Sequence, residues 1–228
     1  MELNADFNQY VVVHGDELAW QDSPIKGISR KMFDRIGDEV ARATSLVRYD
    51  PDSHFSSHIH LGGEELLVLD GIFQDEYGDY PAGTYIRNPP KSEHTPRSKV
   101  GCTIFVKLWQ FEPEDRTKVR VNIDDINFLP TDSRSGVSIT PLYKDTYEDV
   151  RIENWKPNSD INIDSSFGAE VFVLNGSFDY EGNSMRTLSW LRAPLGSSIK
   201  LVSGSIGARV WIKTGHLRLV SAPSSERD

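Results

Sequence analysis

His58-Ile59-His60-Leu61-Gly62-Gly63-Glu64 is the stretch on which the reading of this chain turns. Two histidines two residues apart on an extended segment send both imidazoles to one face. Gly62-Gly63 then supplies a tight reversal, and Glu64 opens the next strand. Downstream, Pro81-Ala82-Gly83 marks a turn, Pro89-Pro90 stops a strand, and His94 offers a third imidazole where an antiparallel strand could return to the same place. Any one of these histidines alone reads as a solvated loop residue. Together, neutral imidazoles and a carboxylate form a ligand set for one borderline divalent ion: Zn, Fe, Mn, Ni or Cu.

The composition narrows the class. At 228 residues, with 38% hydrophobic residues and ten Phe, eight Tyr and five Trp, the chain can bury a full core and is neither disordered nor fibrous. It has no apolar run of membrane-spanning length, and its acidic start is unlike a signal peptide, so a cytoplasmic protein is expected. The single cysteine, Cys102, excludes an internal disulfide and any multi-cysteine zinc knuckle, and it reads as a small buried hydrophobe. A net charge of −9 with no basic patch argues against nucleic acid and anionic membranes as partners.

The pattern His58-x-His60-x-x-x-Glu64 with Gly71, followed by Pro81-x-Gly83 and His94, resembles the two motifs of the cupin superfamily. More narrowly, Gly63-Glu-Glu-Leu-Leu-Val-Leu-Asp-Gly71, Pro81-Ala-Gly-Thr-Tyr-Ile-Arg-Asn-Pro-Pro90 and His94-Thr-Pro96 resemble the cupin domain of ChrR-type anti-sigma factors and acetylacetone-dioxygenase-like cupins. The resemblance implies an all-β jelly-roll barrel and places one divalent metal ion on His58, His60, Glu64 and His94. Glu65 also satisfies the looser spacing after the second histidine, but Glu64 lies the usual distance before Gly71. A ChrR-type protein grips its sigma factor with an N-terminal helical zinc domain. One cysteine and 44 residues cannot supply that domain, so a sigma-factor partner is not expected. The implied activities are a small-molecule dioxygenase or, alternatively, a sensing domain. Tyr49, Tyr85 and Arg87, on strands flanking the ligands, are candidates for the mouth of the pocket, and no residue is assigned as catalytic.

The first half recurs in the second. Glu65-Leu-Leu-Val-Leu-Asp-Gly71 is answered by Glu170-Val-Phe-Val-Leu-Asn-Gly176, Tyr85-Ile-Arg-Asn-Pro89 by Trp190-Leu-Arg-Ala-Pro194, and Gly101-Cys-Thr-Ile-Phe-Val-Lys107 by Gly207-Ala-Arg-Val-Trp-Ile-Lys213. Two tandem cupin barrels are therefore expected. N-terminal strands occupy 1–44, a metal-binding barrel 45–112, a charged linker 113–135, a degenerate barrel 136–220 and a frayed tail 221–228. At the repeat offset His58 becomes Ile163, His60 Ser165, Glu64 Ala169 and His94 Ile199, so the second barrel is expected to lack metal donors and to be filled with apolar groups. Of the other histidines, His14 reads as structural, His54 as pocket rim or surface, and His216 as surface. Open sheet edges make a homodimer plausible.

Overall fold

The computed structural model describes residues 1–131, 134–221 and 223. Among these, the regular structure is all β apart from two short 3-10 turns, Ile123–Asp125 and His216–Arg218. Two compact units divide the chain. The first is built from Met1–Ala5 and Ala19–Asp125, the second from Asp6–Leu18 and Ile126–Val220. Among the described residues no helix is long and apolar enough to cross a membrane.

In the first unit the main sheet runs in the order Glu2–Leu3, Ile28–Gly37, Ala41–Tyr49, Cys102–Leu108, Glu64–Asp75, Thr84–Asn88, Val119–Asn122. Strand alternation decides what each contributes to the interior. Tyr49, Leu66, Val68, Ile86, Cys102, Ile104 and Val106 join Phe73 and Tyr80 in one core. The intervening residues face the other way. There Glu65, Tyr85, Arg87, Phe105 and Lys107 are all buried too. One short ladder stands apart from this sheet, Ser92–His94 on His58–His60, while Arg97–Ser98 pairs with Ser53–His54 and joins the main sheet through Arg97 on Gln74.

The barrel boundaries expected from the motifs differ from these units. A boundary at residue 45 falls inside the Ala41–Tyr49 strand, where Ser45 pairs with Met32 on one side and Val106 on the other. Strands before residue 45 thus belong to the same sheet as Glu64. The segment expected as a linker supplies a strand as well, since Val119–Asn122 pairs with Thr84–Arg87. Asp132 and Ser133 of that linker, and all but Ser221 and Pro223 of the expected tail, lie outside the described residues.

The second unit's sheet runs Leu129–Pro130, Val137–Lys144, Asp149–Trp155, Ser189–Thr214, Asp160–Tyr180, Asn183–Arg186. The N-terminal strand Val11–His14 joins this unit by pairing with Ser189–Arg192, and His14 Nδ1 sits 3.0 Å from Ser189 Oγ, a structural role. The sequence repeat is also a repeat of register. His58 faces His94 in the first unit, and Ile163 faces Ile199 in the second. Glu64 faces Asn88, and Ala169 faces Ala193. Gly71 and Gly176 both take positive φ, and a Cβ at either would collide with the carbonyl of Gly101 or Gly207, so neither position admits a side chain.

Ile163, Ala169 and Ile199 lie in an apolar core with Val171, Phe178 and Leu191. The filling is not apolar throughout, contrary to expectation. On Asp149–Trp155, Glu153 pairs with Val210 as Val47 pairs with Ile104 in the first unit. Glu153 is fully buried and accepts hydrogen bonds from Arg134 Nη2 at 2.6 Å, Arg151 Nε at 2.7 Å and Trp155 Nε1 at 2.7 Å. Burial alone would raise its pKa; Arg151 and Arg134 outweigh that and hold the carboxyl below its ordinary value.

Candidate metal centre

The His58–His60 strand is short because the chain turns sharply after it. Gly63 has φ 78°, and side chains at Gly62 and Gly63 would collide with the rings of Trp109 and Phe111. Gly63 in turn accepts from the Trp109 amide at 3.0 Å, and the Lys91 amide donates to the His60 carbonyl at 2.8 Å. These contacts fix the turn between the two histidines and Glu64. Pairing of Ser92–His94 with the same short strand then brings the third imidazole opposite His58.

One nitrogen from each of His58, His60 and His94 lies within 4.8 Å of the others. The ring centroids are 4.7 Å apart for His58–His60 and His60–His94, and 5.3 Å for His58–His94. Glu64 is outside that mutual set but close to two of its members. Its Oε2 is 3.5 Å from both His60 Nε2 and His94 Nε2, which are 2.9 Å from each other. A triangle with those sides has a circumscribed radius of about 1.9 Å, just inside the roughly 2.0–2.2 Å at which imidazole nitrogen and carboxylate oxygen hold a zinc-like ion. Donor types and spacing both fit a divalent transition ion.

The surroundings orient these donors. His58 Nδ1 donates to the Ser56 carbonyl at 2.9 Å, which leaves Nε2 with its lone pair. His94 Nδ1 faces Asp75 Oδ2 at 3.4 Å, and the other Asp75 oxygen accepts from the Tyr77 amide at 2.8 Å and the Tyr80 hydroxyl at 3.1 Å. Asn88 Nδ2 donates to Glu64 Oε2 at 2.9 Å and is itself held by Arg120. Burial would raise the pKa of Glu64, but the His60 and His94 imidazoles lower it on balance. Burial would likewise lower that of His94, but Asp75 and Glu64 raise it. His60, for which burial dominates, is lowered. Two carboxylates thus make a well of negative potential around the imidazoles, a setting that favours a cation.

His58, His60 and Glu64 line a cavity of about 460 Å³ whose walls also include Val47, Tyr49, Phe55, Ile104, Leu108 and Trp109. Of the three flanking candidates, Tyr49 lines it. Tyr85 and Arg87 do not, because they alternate to the opposite face of the sheet. Tyr85 donates to Glu65 there, and Arg87 bonds to Asp115 at 2.8 Å, which removes Glu65 from the site as well. His54 is exposed. Cys102 is buried, and burial pushes its thiol up to about 11, so it behaves as an inert hydrophobe. His216 is not a surface residue: it is 6% exposed, with Nε2 2.8 Å from Glu170 Oε1 in the second unit. Asp75 was missed in the sequence because Asp75-x-x-Gly78 reads as an ordinary hairpin turn, and nothing in the spacing ties it to His94.

The chain matches the ChrR cupin-like domain family twice, over residues 8–112 and 116–218, and it belongs to that family. Solved structures of the same fold include a Nostoc punctiforme protein proposed to be a dioxygenase, at 15% identity over 97% of this chain and 88% of that one, with a TM-score of 0.76. Escherichia coli YlbA matches at 13% identity, 91% of each chain and a TM-score of 0.69. The E. coli pirin YhhW in complex with nickel(II) matches at 14% identity, 91% of this chain, 99% of that one and a TM-score of 0.63. At these identities the likeness is one of fold. No curated protein matches by sequence.

Proposed function

We propose that the first unit is a metal-dependent catalyst of oxygen chemistry on a small, oxygen-bearing compound, a dioxygenase or a related enzyme. The observation that carries this reading is the convergence of three imidazoles and Glu64, of which His58, His60 and Glu64 line a largely apolar cavity. His58, His60, Glu64 and His94 are the residues that would hold the ion. When bound, a redox-active divalent ion supplies Lewis acidity and electrons for dioxygen chemistry, whereas Zn supplies only the first.

The rest is the work of the chain. Ser56 and Asp75 hold two imidazoles in place, and Asn88 fixes the Glu64 carboxylate. Apolar walls exclude water. Among the described residues no lysine or arginine lines the cavity to draw in an anion. A 1,3-dicarbonyl or enediol suits it, with two neighbouring oxygens as hard donors and an apolar remainder. Membership of the ChrR cupin-like family favours a second reading, a sensing domain that answers an oxidant or ligand with a change of shape. Oxygen consumption separates the two. The protein is reconstituted with Fe(II), Mn(II) or Zn(II), given a panel of 1,3-diketones and enediols, and followed for dioxygen uptake. Uptake with Fe(II) or Mn(II), absent with Zn(II) and in His94→Ala, supports the enzyme. No uptake with any ion, together with a peroxide-induced change in protease sensitivity, points to the sensor.

A further inference from the structure

We infer that Tyr49 is the specificity-determining hydrogen-bond donor of the cavity, its phenol O–H meeting an oxygen of the compound that occupies the His58–His60–His94 site. The inference rests on the reading above that such a compound binds there. Tyr49 ends its strand facing inward, 5% exposed, and lines the cavity. Its ring is held edge-on to Phe73 at 5.7 Å and tilted on Phe55 at 5.6 Å. The hydroxyl makes no hydrogen bond to any described residue and its oxygen is not sealed from solvent, so it is open to a guest or a water in the cavity. The two serines on the cavity, Ser56 and Ser57, lie on an exposed loop.

The second unit shows what becomes of this position where no guest is expected. Trp155 pairs with Ala208 as Tyr49 pairs with Cys102, and it meets Phe178 edge-on at 5.4 Å as Tyr49 meets Phe73. There the aromatic donor is satisfied inside the protein, because Trp155 Nε1 donates to Glu153 Oε2 at 2.7 Å. The residue of the first unit with the register of Glu153 is Val47, which cannot accept. One barrel quenches its inward donor, and the other leaves it available to a guest.

Tyr49→Phe removes the O–H and keeps the ring. The test uses Co(II)-loaded wild-type and variant proteins, titrated with acetylacetone and, as a control without an oxygen acceptor, with imidazole, read by the visible cobalt absorption. Metal content and unfolding midpoint are expected to be unchanged, the acetylacetone Kd to rise about tenfold, as for loss of one hydrogen bond, and the imidazole Kd to stay within about twofold. An acetylacetone Kd within about twofold of wild type overturns the inference, as does equal weakening of both probes. Failure of wild type to load Co(II) would instead count against the metal reading. Calorimetry on the metal-free proteins then decides the role of Tyr49. A similar loss of acetylacetone affinity in Tyr49→Phe upholds it, and equal affinity, or no binding to either protein, overturns it.

Discussion

Where the first unit sets His94 against His58 and Asn88 against Glu64, the second sets Ile199 against Ile163 and Ala193 against Ala169. The backbone register is the same and the chemistry is gone. What the repeat keeps lies on the other face of the sheet: Glu65, Arg87 and Lys107 recur as Glu170, Arg192 and Lys213, all buried. The turn is kept as well. Gly63 and Gly168 hold the same place with φ 78° and 79°, and their carbonyls accept from the amides of Trp109 and Gly215, each at 3.0 Å, although Asp160–Tyr180 runs through that place as one strand. Scaffold and site are therefore separable in this protein. Inward side chains alone, His58, His60, Glu64, Asn88 and His94 against Ile163, Ser165, Ala169, Ala193 and Ile199, distinguish a donor-lined cavity from a packed core.

Substitutions can break or sharpen that contrast. The largest effect on stability is expected in the packed core: Phe178→Ala should cost roughly 3–5 kcal/mol in urea unfolding while leaving metal content unchanged. Metal loss without destabilisation would mean that the second unit contributes to the site. Glu153→Gln should cost about 3 kcal/mol, because Arg134 and Arg151 lose a buried counter-charge. The pH dependence has a definite sign. The folded pKa of Glu153 is depressed, so its contribution is present above the ordinary glutamate value and disappears as pH falls through the folded value. Unfolding followed from neutral to acid pH should show this loss in wild type, and Glu153→Gln should lack it.

In the first unit, Asp75→Asn should weaken metal binding about ten- to a hundredfold, since it removes only the charge behind His94, and competition with a chelator measures the change. Tyr85→Phe should move it by less than about twofold, because Tyr85 faces Glu65 on the opposite side of the sheet. A large effect there would contradict the assignment of faces.

Much of this was legible in the sequence because it depended on spacing. Residues two apart on a strand share a face, and a constant offset carried His58 to Ile163 and Glu64 to Ala169. Features that depend on which strands pair were not legible. Tyr49 and Tyr85 both flank the ligands in sequence, and only the pairing of Ile86, rather than Tyr85, with inward-facing Leu66 places Tyr85 outside. Asp75 and His94 meet across 19 residues without a shared period. Arg151-Ile-Glu153-Asn-Trp155 looks like ordinary alternation with its charges in water. Its inward carboxylate is tolerated because three donors satisfy it. A lone histidine beyond the last strand, such as His216, carries no spacing at all.

The most direct test is the metal content of protein purified without added metal, for wild type and for His58→Ala/His60→Ala, with the unfolding midpoint as a check on folding. One divalent ion per wild-type chain and none in the folded double variant are expected, since His58, His60, Glu64 and His94 all lie in the first unit. Full occupancy in the double variant would contradict that assignment and place the ion elsewhere in the chain.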